Sequence, residues 1–199
     1  MTRRTKIVAF AGRKQSGKTT CSESTLAYFK YLGGDSGKIY NFADPLKQDI
    51  CMNILGLTHQ QCYGEDADKN TMTDIVWEGK NLTAREVMQF VGTDLFRKMK
   101  NDVWTSATLN KINNEKPALA IIADCRFPNE VEAVQAAGGL VVKLTRNPYD
   151  SNHASETALD PINYPPSQFN VVIPNDRLDI TSQLELVLAY LQEKGVFVL

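Results

Sequence analysis

The chain has 199 residues, 43% of them hydrophobic and 23% charged, with a net charge of −1. That length suits one domain with room for a sizeable core, and the composition is that of an ordinary globular protein. The near-zero charge, without a long basic run, argues against nucleic-acid binding. No apolar stretch approaches a membrane span, and the basic start Met1-Thr2-Arg3-Arg4-Thr5 lacks the apolar segment of a signal peptide. Cys21, Cys51, Cys62 and Cys125 show no paired spacing, which favours packed thiols in a reduced, cytosolic protein over disulfides or zinc. Two histidines are too few for a histidine-rich metal site.

Lys6-Ile7-Val8-Ala9-Phe10-Ala11 reads as a short buried strand, and it runs straight into Gly12-Arg13-Lys14-Gln15-Ser16-Gly17-Lys18-Thr19. The second segment fits the G-x-x-x-x-G-K-[ST] spacing of the phosphate-binding P-loop. Its glycines let successive N–H groups turn toward an anion, Lys18 brings a mobile positive charge to β- and γ-phosphates, and the Thr19 hydroxyl suits Mg2+. Cys21, Thr25, Tyr28, Phe29 and Leu32 recur at helical spacing, so the loop opens a helix whose dipole favours anions; Gly33-Gly34 ends it. The expected nucleotide contacts are Gly12, Lys14, Ser16, Gly17, Lys18, Thr19 and Thr20.

Residues 38–42 read as a second strand, followed by a helix from Pro45 to about Leu55. Asp44 is either the cap of that helix or, with Lys47, a ligand contact at a strand's carboxyl end. Residues 56–82 are polar and irregular, with a short helix expected at 58–62, an exposed loop at 64–69 and a turn packed by Trp77. We expect an insertion here rather than a second domain.

Residues 83–99 form an amphipathic helix opened by a Thr83/Glu86 capping box, with Val87, Met88, Val91, Leu95 and Met99 as its apolar stripe. Arg85, Gln89, Thr93 and Arg97 step by four along another side, either as a solvated face or as a substrate-facing row. Gly92 in mid-helix suggests close approach by a ligand or a neighbouring backbone. A further helix follows over 102–113.

Residues 118–123 are the clearest parallel strand, and Asp124 at its end has the Walker-B position of a carboxylate in the Mg2+ shell. Arg126, two residues on, is expected to point into the same crevice as a phosphate clamp, the alternative being a surface Asp and Arg at a strand end. A helix over 131–137, a strand over 140–144, a polar lid over about 146–162, a strand over 169–173 and a last helix bearing Ile180, Leu184, Val187, Leu188 and Leu191 complete the chain. Arg146 in the lid is placed to reach the transferring phosphate, and His153 is either a nucleotide contact or an exposed loop residue. Alternating strands and helices give an α/β, three-layer P-loop fold: a parallel sheet of about five strands, helices on both faces and a small lid.

No guanine-reading N-K-x-D motif occurs, and several arginines with a lid suit a small-molecule kinase that excludes water. The absence of an obvious general base favours a phosphate acceptor, already ionised, over an alcohol. The P-loop, Phe42-Ala43-Asp44-Pro45-Leu46-Lys47 and Arg85-x3-Gln89-x2-Gly92-Thr93-Asp94-x2-Arg97 together resemble the deoxynucleoside monophosphate kinases of tailed bacteriophages. Asp124-x-Arg126-Phe127-Pro128-Asn129-Glu130 and His153-x-Ser155-Glu156 extend the match. The resemblance implies transfer of the ATP γ-phosphate to a dNMP. It implies ATP and Mg2+ on the P-loop, with Thr19 and Asp124 at the metal and Lys18, Asp124, Arg126 and Arg146 as catalytic groups. It assigns acceptor contacts to Asp44, Lys47, Arg85, Gln89 and Arg97, within a helical acceptor region over about 56–100. A homodimer and a cytoplasmic setting, the host's for a viral protein, are family-level expectations. The alternatives are a kinase of the dephospho-coenzyme A or phosphomevalonate type, or a regulatory ATPase.

Overall fold

The computed structural model describes residues 4–148 and 154–198. In chain order these form β1 (Lys6–Ala11), α1 (Lys18–Tyr31), β2 (Gly37–Tyr40), a π-helical segment (Pro45–Met52), α2 (His59–Tyr63) and α3 (Asp66–Lys69). Next come β3 (Met72–Trp77), β4 (Lys80–Thr83), α4 (Ala84–Gln89), a second π-helical segment (Phe90–Arg97) and α5 (Val103–Glu115). Then follow β5 (Leu119–Cys125), α6 (Pro128–Ala136), β6 (Leu140–Leu144), α7 (Ala154–Thr157), a 3-10 turn (Pro166–Gln168), β7 (Val171–Ile173) and α8 (Ile180–Glu193). The chain divides into two compact units, Met1–Asn41 with Leu109–Leu199, and Phe42–Thr108.

The first unit is the expected α/β fold. Its five strands are all parallel in the order β2–β5–β1–β6–β7, with helices on both sides of the sheet. Strand alternation sorts the apolar residues by face. Val8, Phe10, Leu119, Ile121, Val142 and Leu144 face one way, against Cys21 and Phe29 of α1 and Val187 and Leu191 of α8. On the other face α6 packs so closely that a side chain at Gly139 would meet Val134 and Ile7. All carboxyl ends of the strands lie on one edge, which is where this architecture gathers its ligand loops.

The second unit holds a separate core of Cys51, Leu57, Cys62, Ala84, Val87 and Val91. The region 56–82, expected to be irregular, contains an antiparallel β3–β4 hairpin. Its two-residue turn uses positive φ at Glu78 (50°) and Gly79 (78°), and the Trp77 ring lies tilted against Phe90 at 4.6 Å between ring centroids. The expected loop at 64–69 is in part the short helix α3, capped through Glu65 and Asp68.

The expected single helix over 83–99 opens with its Thr83/Glu86 capping box but changes winding after Gln89. A π turn takes more residues than an α turn, so the four-residue stripe drifts off the core. Val87 and Val91 are buried, whereas Leu95 (42% exposed) and Met99 (76%) turn outward. Phe96 packs inward instead, 5.4 Å from the Trp104 ring. What crowds Gly92 is the Leu46 side chain, only 2.5 Å from where a Cβ would sit. The Gly92 carbonyl in turn accepts the Trp104 indole N–H at 3.0 Å.

All four cysteines are buried free thiols, and no helix among the described residues is long and apolar enough to cross a membrane. Trp104→Phe keeps an aromatic side chain but removes the N–H that the buried Gly92 carbonyl accepts. It is expected to cost about 1–3 kcal/mol of stability in denaturant titration.

Candidate active site

The P-loop leaves β1 and wraps the start of α1. It needs left-handed or otherwise positive backbone angles at Gly12 (φ 153°), Gln15 (57°) and Gly17 (103°). Glycine at 12 and 17 is also a matter of space. A Cβ on Gly12 would lie 2.5 Å from Ser16 Oγ, and one on Gly17 would lie 2.7 Å from Gln183 Nε2. Lys18 folds back over the loop and its ammonium donates to the carbonyls of Gly12 (2.8 Å) and Arg13 (2.6 Å). Burial pulls its pKa down to about 7, Arg126 pushes the same way, and Glu156 and Asp124 oppose the shift.

Around the loop lies a crevice of about 490 Å3, within the size range of small-molecule sites. Lys14, Gly17, Lys18, Thr19 and Thr20 line it from the loop and α1, Asp124 and Arg126 from the end of β5, and Arg146 from the end of β6. Asn41, Ile180 and Gln183 complete much of the wall. Asp124 belongs to β5 itself, one residue before its end at Cys125, rather than just past the strand as expected. Gly12 and Ser16 are not in this lining. Ser16 is fully buried, with its hydroxyl turned against Gly12. Thr19 and Asp124 offer a hydroxyl and a carboxylate to one crevice, a hard-oxygen donor set that fits Mg2+.

Two arginines are set differently. Glu130, 2% exposed, accepts the backbone N–H of Arg126 at 2.7 Å and of Phe127 at 3.1 Å, pinning the turn from β5 into α6. The Arg126 guanidinium then pairs with Glu156. Arg146 donates from Nε and Nη2 to the Asn175 carbonyl (3.1 and 2.9 Å) and from Nη2 to the Leu178 carbonyl (2.5 Å). Backbone acceptors thus hold the guanidinium that was expected to reach the transferring phosphate.

From Ala154 on, the expected lid is tied to the loop by two carboxylates. Asp160 takes Arg13 in a bidentate pair at 3.1 and 2.5 Å. Glu156 accepts the backbone N–H of Lys14 at 2.5 Å while its other oxygen takes Arg126. Glu156 therefore uses a P-loop amide and an arginine at once, as a phosphate would. Its place beside His153 in a motif hinted at a role, but nothing in the spacing located it. His153 itself lies outside the described residues.

The expected acceptor residues all lie in the second unit. Asp44 makes no side-chain cap bond; its carboxylate accepts the Tyr63 hydroxyl at 2.8 Å. Lys47 Nζ sits 4.5 Å from the centre of the Tyr63 ring. Burial first, and then the bond to Asp44, push the Tyr63 phenol above its ordinary range. Arg85 is engaged with Asp66 (2.9 Å) and Asn70 (2.9 Å) of the inserted region, and Gln89 is exposed. Because the π winding begins at Phe90, Arg97 does not continue the four-residue row of Arg85 and Gln89.

The fold and the crevice define the class, a parallel α/β protein with a P-loop sequence on the wall of its crevice. The sequence matches the family described as deoxynucleotide monophosphate kinase over residues 55–183. That is more than half of the chain, and the protein belongs to this family. A protein of Acanthamoeba polyphaga mimivirus, provisionally named deoxynucleotide monophosphate kinase, is 29% identical over 185 residues, covering 86% of this chain and 89% of the relative. The deoxynucleoside-5'-monophosphate kinase of Escherichia phage T5 is 26% identical over 114 residues, 57% of this chain and 41% of that one. Among solved structures, shikimate kinase from Bacteroides thetaiotaomicron superposes with a TM-score of 0.48 at 17% identity, covering 94% of this chain and 96% of that one. The Acinetobacter baumannii enzyme with shikimate gives 0.49 at 12%, covering 96% and 93%. Scores at this level carry no argument about chemistry.

If a phosphate in the loop uses the Lys14 amide and Arg126, both would have to leave Glu156. Glu156→Gln removes the competing charge. The dissociation constant for ATP is then expected to fall about three- to tenfold, ~1 kcal/mol, by calorimetric titration. Unchanged or weaker binding would mean that this carboxylate does not compete.

Proposed function

We propose that this chain transfers the γ-phosphate of ATP to the phosphate of a deoxynucleoside monophosphate, giving the deoxynucleoside diphosphate and ADP. The observation that carries the reading is the single crevice in which Lys18, Asp124 and Arg126 meet around a P-loop, in a chain of this family.

The acceptor phosphate is ionised near neutral pH, so catalysis needs alignment and charge neutralisation rather than a general base. The loop amides and the α1 dipole hold the donor's phosphates. Lys18, drawn back on the Gly12 and Arg13 carbonyls, swings its charge onto the β- and γ-oxygens. Arg126 leaves Glu156 for the phosphoryl group in transfer. Thr19 and Asp124 would hold Mg2+, which supplies neutralisation of phosphate charge when bound. Arg146, anchored by the Asn175 and Leu178 carbonyls, presents its remaining edge to the nucleotide. Asp44, Lys47, Arg85, Gln89 and Arg97 contact the deoxynucleotide, with Tyr63 setting the Asp44 carboxylate. The reaction consumes ATP and fits the cytoplasm, the host's for a viral protein.

An ADP-release assay with each dNMP in the presence of Mg2+ and ATP tests the reading. Turnover with at least one dNMP is expected, and turnover confined to another acceptor, or none at all, overturns it. Lys18→Ala is expected to lower kcat by about 100-fold or more. Arg126→Ala should lower kcat by a similar factor without loss of the folded state. Wild-type rates in a folded Arg126→Ala protein would show that the guanidinium does not serve the transferring group.

A further inference from the structure

Behind the P-loop lies a pair of buried side-chain amides that no motif marks. Asn175, at the carboxyl end of β7, is 0% exposed, and Gln183, on α8, is 1% exposed. Asn175 Nδ2 donates to the Ser16 carbonyl at 2.8 Å and to Gln183 Oε1 at 2.5 Å. Its Oδ1 accepts the backbone N–H of Arg146 at 2.8 Å. Gln183 Nε2 donates to Cys21 Sγ at 3.0 Å, on the first turn of α1. The same nitrogen fills the space that any side chain at Gly17 would need.

We infer that Asn175 and Gln183 are positioning residues for the donor site, holding the P-loop backbone and the Arg146 anchor in one fixed relation. A loop that turns its N–H groups inward to an anion turns carbonyls outward into the protein. Those carbonyls must be satisfied, or the loop relaxes out of its cradle. Lys18 serves two of them, and its charge is the part that moves to the phosphates. Asn175 serves a third, at Ser16, with a side chain that carries no charge to be drawn away. Through Oδ1 the same amide fixes the chain at Arg146, whose guanidinium closes back on the Asn175 carbonyl. Gln183 locks the orientation of Asn175, because its Oε1 accepts and only an amide nitrogen can face it.

The inference rests on the P-loop being the ATP site, and its test does not depend on the acceptor. MgATP binding is measured by calorimetry for wild type, Asn175→Ala, Gln183→Met and the double variant, together with KM for the accepted dNMP at saturating ATP. Each single variant is expected to weaken ATP binding at least tenfold and to change the dNMP KM less than twofold. The double variant is expected to match the weaker single variant, since the two amides act as one unit. A residue that merely supports the fold would lower the melting temperature without this split. ATP affinity within twofold of wild type in folded variants, or equal loss for both substrates, overturns the inference. If Asn175→Ala does not fold, Gln183→Met, close in length and volume, decides by the same criteria. A wild-type protein that binds ATP but phosphorylates no dNMP sinks the proposed acceptor and leaves this result standing; one that binds no ATP overturns both.

Discussion

An anion cradle made from backbone amides has to put its carbonyls somewhere. That constraint organises the first unit. Positive φ at Gly12, Gln15 and Gly17 turns the loop, and such angles cost about 1–2 kcal/mol at a residue with a side chain, so the surroundings must enforce them. Lys18 covers the Gly12 and Arg13 carbonyls and Asn175 covers Ser16. Each partner is itself anchored on a strand end or a helix of the parallel sheet. The rigidity of the sheet thus becomes the rigidity of the phosphate site.

Positive charge gathers in the same crevice and beside it. Lys18 and Lys143 are both pushed toward neutrality by burial. The chain answers with its own carboxylates: Glu156 on Arg126 and the Lys14 amide, Asp160 on Arg13. These pairs give the segment after β6 its hold on the loop.

Much of this was legible in the sequence because it is local. A strand, a glycine-rich loop and a helix follow one another within 31 residues, and the spacing alone names the chemistry. The apolar run over 118–123 read as a buried parallel strand, and β5 is that strand, carried on to Cys125. The β3–β4 hairpin was missed because both its faces are largely exposed, so Met72-Thr73-Asp74-Ile75-Val76-Trp77 shows no core alternation. The Glu78-Gly79 turn was its sole signal. The helix over 83–99 was right in its cap and wrong in its period, since a π turn leaves no mark that a count of fours detects. Asn175, Gln183 and Glu156 were out of reach for another reason. Their roles depend on partners 8 to 162 residues away, and a polar residue gives no sign of whether it will be buried.

The most direct measurement follows the phosphoryl group itself. ATP labelled at the γ-phosphate is incubated with the protein, Mg2+ and a deoxynucleoside monophosphate, and the products are separated. If the crevice is the donor site of a deoxynucleotide kinase, the label appears on the β-phosphate of the deoxynucleoside diphosphate and only a trace is released as inorganic phosphate. Label found solely as inorganic phosphate, at a rate indifferent to every dNMP, would contradict the account.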